Sequence, residues 1–208
     1  MDREVSAYLF MKNNQESRTT ILFKKKLRKE ILGKRDSIPI SDRKKRSKII
    51  AEKFYSTPYY INSNNILIYY NFGSEVDTAP VISQALKNNK SIILPKVYDQ
   101  ELNLYYIDKL SEQLEIGKYG IMEPDPRFCR AAEIKDIDLV VVPGLGFDKN
   151  LNRLGYGRGF YDRLLPLFPR EVKKIALCFD VQVVDSIPTA ENDIKIDHLI
   201  TESKIYRI

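Results

Sequence analysis

One stretch constrains this chain more than any other: Val140 to Leu165, VVVPGLGFDKNLNRLGYGRGFYDRLL. It opens as a buried strand, because Leu139–Val142 is an unbroken aliphatic run stopped by Pro143-Gly144. It closes as a helix, with Phe160, Leu164, Leu165 and Phe168 spaced for one apolar face before Pro166 and Pro169 end it. Between the two, Gly155, Gly157 and Gly159 stand on alternate positions, with Arg153, Arg158 and Arg163 around them. A strand that passes through a glycine-rich loop into a helix presents free backbone N–H groups at the positive end of the helix dipole, which suits an anion. Glycine lets a ligand approach the backbone closely, and arginine adds a forked donor for phosphate or carboxylate. Asp162, at the start of the helix, is placed to hold the Mg²⁺ that accompanies a polyphosphate. A flexible surface turn would explain the glycines but not the arginines on both sides.

The loop is neither G-x-x-x-x-G-K-[ST] nor G-x-G-x-x-G, so neither common nucleotide fingerprint applies. A single histidine, His198, excludes His-rich zinc sites, and beside Asp197 and Leu199-Ile200 it suits packing at a strand start. Cys129 and Cys178 form no CxxC and no disulfide framework, which points to a reducing cytoplasm. No apolar run has membrane-spanning length, and residues 1–20, with only a short Ala7–Met11 patch, read as a weakly ordered extension rather than a secretory signal. Residues 21–208 are long enough for one domain with a full core. The net charge of +6 is uneven: residues 1–60 carry 16 Lys and Arg against 7 Asp and Glu, whereas residues 61–208 carry 18 against 21. That basic half invites nucleic acid, but two solvated amphipathic helices explain it better, and no nucleic-acid-binding signature accompanies it.

Helical patterning begins at the cap residues Thr19-Thr20, with Phe23, Leu27 and Ile31 on one face and Leu32 beside them, and Gly33 stops or weakens it. Ser41-Asp42 opens a second helix with Ile49, Ile50 and Phe54 inward. Asn65–Phe72 reads as the first strand. Thr78 caps a helix with Pro80 in its first turn, followed by strands at Ser91–Val97 and Leu102–Ile107. After the glycine loop come strands at Lys173–Phe179 and His198–Thr201. Strands separated by helices imply an α/β fold, a single three-layer domain with a mostly parallel central sheet flanked by helices, whose ligands bind beyond the strands' carboxyl ends. The Glu75 loop and the glycine loop both lie on that rim.

These residues resemble a known family. VVPGLGFDKNLNRLGYGRGFYDR is similar to the signature of the 5-formyltetrahydrofolate cyclo-ligases, also called methenyltetrahydrofolate synthetases. The KKKLRKEI helix, Tyr69-Tyr70 with Glu75-Val76-Asp77-Thr78, GKYGIMEP, and Pro188 with Glu191-Asn192-Asp193 follow in the family's order, from about residue 22 to 202. The resemblance implies the NagB/RpiA/CoA transferase-like fold. It also implies conversion of 5-formyltetrahydrofolate, and its polyglutamates, to 5,10-methenyltetrahydrofolate by a monomer, with ATP and Mg²⁺, through a phosphorylated formyl group. It implies ATP contacts at Lys24, Lys25, Lys26, Leu27 and Arg28, and at Arg153, Leu154, Gly155, Tyr156, Gly157, Arg158, Gly159, Phe160 and Tyr161. Folate contacts fall on Tyr70 and Glu75 and on Tyr156–Phe160, where the formyl group meets the γ-phosphate. Asp162 and Asp193 become the magnesium ligands and Arg158 the catalytic candidate. Many relatives have glycine where Arg158 stands and tyrosine where Phe160 stands.

Chemistry agrees with that assignment. Phosphoryl transfer needs positioning and charge stabilisation more than an acid–base pair, which suits a chain poor in histidine. Glu75 offers two acceptors to the donor edge of a pterin, and Tyr70 and Phe72 supply an aromatic wall unless they are core residues. Two other readings remain open on the residues alone: a basic domain that binds nucleic acid with residues 20–60, and a glycine loop that serves a sugar phosphate or a coenzyme A thioester.

Overall fold

The computed structural model describes residues 3–189 and 193–207, with side chains from residue 19 onward. Glu191 and Asn192 of the late landmark, and the side chains of Ala7–Met11, lie outside the described residues. In order, the chain forms α1 (Arg3–Asp36), α2 (Ile40–Tyr55), α3 (Pro58–Asn62), β1 (Asn65–Leu67), α4 (Ala79–Lys87), β2 (Ser91–Tyr98) and β3 (Glu101–Ile107). Then come α5 (Leu110–Gln113), β4 (Leu114–Ile116), β5 (Met122–Pro124), β6 (Leu139–Val141), β7 (Gly146–Asp148), β8 (Arg153–Leu154) and α6 (Phe160–Leu164). The last elements are β9 (Lys173–Leu177), β10 (Val183–Val184), β11 (His198–Ile200) and β12 (Ile205–Arg207).

The main sheet has the order β12-β11-β9-β6-β1-β2-β3. Its five central strands are mutually parallel, and β12 and β3 close the edges antiparallel. Parallel strands are covered on both faces, so every position must be apolar, and alternate residues serve opposite cores. Ile66, Leu139, Val141, Ile175 and Ile200 join the core under α2 and α4. Leu67, Val140, Val142, Ala176 and Leu199 join the core on the other face, beneath Leu164, Leu165 and Phe168. A third, smaller cluster packs Leu27 and Ile31 of α1 on Leu145, Leu154 and Ile187. That cluster fixes the first helix to the glycine loop.

Several sequence expectations change. The first helix starts before Thr19-Thr20, and it passes through Gly33, which has open space around it. A glycine there costs about 1 kcal/mol against alanine, less than burying Ile31 returns. The helix ends instead where Ser37 N–H bonds Gly33 O at 3.1 Å and Pro39 follows. Phe23 and Leu32 are exposed, so of the four expected apolar positions Leu27 and Ile31 face inward. The second helix starts at Ile40 behind Pro39, with no side-chain cap, and Ile49 points to solvent. Thr78 precedes α4 without capping it; its hydroxyl bonds Tyr69 O at 2.8 Å. The first strand ends at Leu67 rather than Phe72, which frees residues 69–75 to turn over the rim. The strands expected to end at Phe179 and Thr201 stop at Leu177 and Ile200.

Candidate functional site

Two cavities lie side by side at the carboxyl ends of the parallel strands. The larger, about 350 Å³, is bounded by Tyr69, Tyr70, Phe72 and Glu75 after β1, by Pro95 and Val97 of β2, by Tyr119, Ile121, Met122 and Glu123, and by residues 155–162. The smaller, about 170 Å³, is bounded by Lys24, Arg28, Leu154, Asp162 and Asp193. Arg153, Gly155, Gly157, Gly159 and Asp162 border both. The glycine loop is therefore a wall shared by an aromatic chamber and a charged one.

The loop is held from α1. Arg28 Nε donates to Gly155 O at 2.8 Å. Gly157 sits at φ 95°, and a Cβ there would lie 3.4 Å from the Arg28 guanidinium carbon. The positive φ disfavours a larger residue, whereas the contact with Arg28 would be an ordinary one. Helix α6 is only five residues long and continues as a 3₁₀ turn over Leu165–Leu167. The expected longer helix and its dipole are thus absent, and the positive character of the charged chamber comes from Lys24 and Arg28.

Lys24 and Arg28 face this chamber, one turn apart. Lys25 and Lys26 point to solvent, and Leu27 is in the core. Leu154 borders the chamber but packs in the same core cluster. Arg153 is buried; its Nη1 donates to Pro143 O at 3.2 Å and its Nη2 is ion-paired with Asp162. It therefore anchors the wall and orients Asp162. Asp193 is paired with Lys24 at 2.5 Å. Arg158 is exposed, with its guanidinium 4.6 Å from the centre of the Tyr119 ring. Phe160 and Tyr161 border the aromatic chamber, and the buried Tyr161 hydroxyl has no hydrogen-bond partner among the described residues. Tyr70 and the half-exposed Phe72 also border it; Phe72 is wall, whereas Tyr70 is wall and also packs on the core.

Glu75 is at one end of the aromatic chamber. Its Oε2 accepts Phe72 N–H at 2.9 Å and its Oε1 accepts the Tyr156 hydroxyl. Burial raises the pKa of its carboxyl, against the Tyr156 and Phe72 hydrogen bonds and the Arg35 charge, which all favour the anion. Burial likewise pushes up the Tyr156 phenol. Glu123, buried with Lys96 Nζ at 3.9 Å, is also raised by burial.

Sequence reasoning missed Arg35, and it gave no site role to Tyr119 and Glu123 although it singled out their GKYGIMEP stretch. Arg35 lies in a basic run and carries no motif; the available signal was register, since Lys24, Arg28, Ile31 and Arg35 share one helical stripe. His198 lies far from this chemistry. It starts β11 and packs at a tilt against Tyr59 with ring centres 4.4 Å apart, and burial lowers its pKa. No helix among the described residues is long and apolar enough to cross a membrane.

The model of the 5-formyltetrahydrofolate cyclo-ligase family matches residues 20–202. A mouse protein named 5-formyltetrahydrofolate cyclo-ligase is 32% identical over 190 residues, covering 86% of this chain and 93% of the mouse one. The solved structure of Aquifex aeolicus 5,10-methenyltetrahydrofolate synthetase superposes with a TM-score of 0.79 at 34% identity, covering 88% of this chain and 92% of its own. A Mycoplasma pneumoniae 5,10-methenyltetrahydrofolate synthetase gives 0.69 at 27% identity, covering 86% and 98%. With its mostly parallel sheet and its shared glycine wall, the chain belongs to the 5-formyltetrahydrofolate cyclo-ligase family of enzymes.

Proposed function

We propose that this enzyme cyclises 5-formyltetrahydrofolate to 5,10-methenyltetrahydrofolate with ATP and Mg²⁺, releasing ADP and phosphate. The observation that carries the proposal is the pair of adjoining chambers with one glycine wall between them. The aromatic chamber suits a pterin: Glu75 presents acceptors to its paired N–H donors, and Tyr70 and Phe72 flank its ring. The charged chamber suits a polyphosphate, with Lys24 and Arg28 as donors. A formyl group in the first can then meet a γ-phosphate in the second across Gly155–Phe160.

The formyl oxygen attacks the γ-phosphorus as the bond to the bridging oxygen breaks and ADP leaves. N10 adds to the activated formyl carbon, and the carbon–oxygen bond breaks. Phosphate departs with the former formyl oxygen, and the N10 proton passes to the phosphate or to solvent. Arg158, at the mouth of the aromatic chamber, stabilises charge on the transferred group. Gly155 and Gly157 let the phosphates approach the backbone. Phe160 and the aromatic wall keep water from the phosphorylated intermediate.

Asp162 and Asp193 fit a magnesium site because both carboxylates border the charged chamber. Among the described residues no group of three acidic, histidine or cysteine ligands forms a cage. The donor set therefore suits an ion that arrives with the nucleotide and takes most of its ligands from phosphate and water. When bound, Mg²⁺ would neutralise the polyphosphate. This proposal treats residues 21–208 as one catalytic domain, acting as a cytoplasmic monomer on the folate and its polyglutamates, with no nucleic-acid partner. The continuous seven-stranded sheet and the length of the family match support the single domain.

The test is turnover of 5-formyltetrahydrofolate, followed by the near-ultraviolet band of the methenyl product. The band should grow only when ATP and Mg²⁺ are both present. Growth without either would overturn the cofactor assignment, and no growth with folded protein would overturn the reaction.

A further inference from the structure

Arg35 is the buried cation that the reaction above leaves unused. It sits in the last turn of α1, 3% exposed. Its Nε donates to Ser74 Oγ at 2.9 Å, and Ser74 in turn bonds Asp36. Its Nη1 donates to the Tyr156 hydroxyl oxygen at 2.8 Å, and the guanidinium carbon is 5.8 Å from the Tyr156 ring centre. No carboxylate among the described residues forms an ion pair with it. Removing an unpaired guanidinium from water is costly, so its retention needs a reason beyond packing.

The chemistry of the donors sets a direction. Arginine donates and never accepts. Tyr156 must therefore turn a lone pair to Arg35 and give its single proton to Glu75 Oε1. Glu75 Oε2 is held by Phe72 N–H, so each carboxylate oxygen is fixed by one donor and keeps its remaining lone pair for a ligand. The other groups that face Glu75 are the phenols of Tyr69, Tyr156 and Tyr161. Arg35 is the cation that acts on it.

We propose that Arg35 is a positioning residue for folate recognition, acting through Tyr156 to hold Glu75 ionised and aimed at the paired N–H donors of the pterin edge. The proposal rests on the folate function above. It separates two jobs on one helix: Lys24 and Arg28 serve the nucleotide, and Arg35, two turns further on, serves the folate through the same loop.

The test compares Arg35→Met and Arg35→Lys with the wild type. In Arg35→Met the Michaelis constant for folate should rise on the order of tenfold, with that for ATP unchanged. The acid limb of kcat/KM for folate should move to higher pH, because the cation that favours the Glu75 anion is gone. Arg35→Lys should restore part of the limb, since it keeps the charge but not the fork. Tyr156→Phe should shift the limb in the same direction, and adding Arg35→Met to it should do little more, as expected of residues acting in series. Equal losses for both substrates with an unmoved limb would reduce Arg35 to helix packing. Carboxyl ¹³C NMR titration of Glu75 in ligand-free protein reads the same link without turnover: its midpoint should rise in Arg35→Met, and an unmoved midpoint would overturn the proposal. A raised midpoint in a protein whose wild type does not turn over folate would keep the Arg35–Glu75 link and sink the folate function instead.

Discussion

Asp162 shows how a motif residue acquires two duties. It borders both chambers and neutralises the buried Arg153. Asp162→Asn should lower turnover at least about a hundredfold, with partial recovery at high Mg²⁺, measured by steady-state kinetics against metal concentration. Although the carboxylate is more than a third exposed, its partner Arg153 is buried, so leaving that guanidinium without an anion should cost about 1–3 kcal/mol of stability. Arg158 is more exposed and is steadied by the Tyr119 ring. Arg158→Ala should raise the barrier by about 2–4 kcal/mol if its guanidinium meets the transferred group; unchanged kcat/KM would leave it a loop cation. For Glu75 the sign follows from burial. Its folded-state pKa lies above the ordinary 4.5, so the native state holds the proton more tightly than the unfolded chain does, and wild-type stability gains as pH falls through that window. Glu75→Gln cannot titrate. Its stability relative to the wild type should be most favourable near neutral pH and decline towards pH 4.5, as urea denaturation across that range will show.

At the scale of elements, α1 and the glycine loop form one working unit. Arg28 bonds the loop at Gly155, Arg35 bonds it at Tyr156, and Leu27 and Ile31 bury the helix beneath it. Gly157→Ala should cost about 1–2 kcal/mol through its positive φ, seen as a shifted denaturation midpoint. It should cost more in activity, because the wall it displaces borders both chambers. The glycine loop was legible in the sequence because its residues carry backbone and charge requirements at fixed spacing. The parallel strands were legible because burial on both faces leaves continuous aliphatic runs. Arg35 and Glu123 were not, since each looks like any exposed charge until tertiary contacts bury it. The small pairings β7–β8, β7–β10 and β4–β5 escaped for a related reason: two- and three-residue strands exist only because the chain brings them together. The helix that should have followed the loop was overestimated because apolar spacing alone cannot distinguish five α-helical residues from a 3₁₀ extension.

Across the whole molecule, the sheet brings the Glu75 turn, the 119–123 segment and the glycine loop to one rim. A shared wall predicts communication between ligands. Each substrate should bind more tightly when the other is present, because the first pays part of the cost of ordering the loop. Calorimetric titration of the folate with and without a non-hydrolysable ATP analogue measures this, and equal affinities would show that the chambers are independent.

The Lys24–Asp193 contact joins residues 169 positions apart, and the apolar cover of Leu27 and Ile31 comes from Leu145, Leu154 and Ile187. During synthesis, α1 leaves the ribosome long before its cover exists. The nascent helix must keep an oily stripe from its neighbours while more than a hundred residues follow, a period when chaperones would find it. The charged chamber waits longer still, because it lacks a wall until Asp193 has emerged.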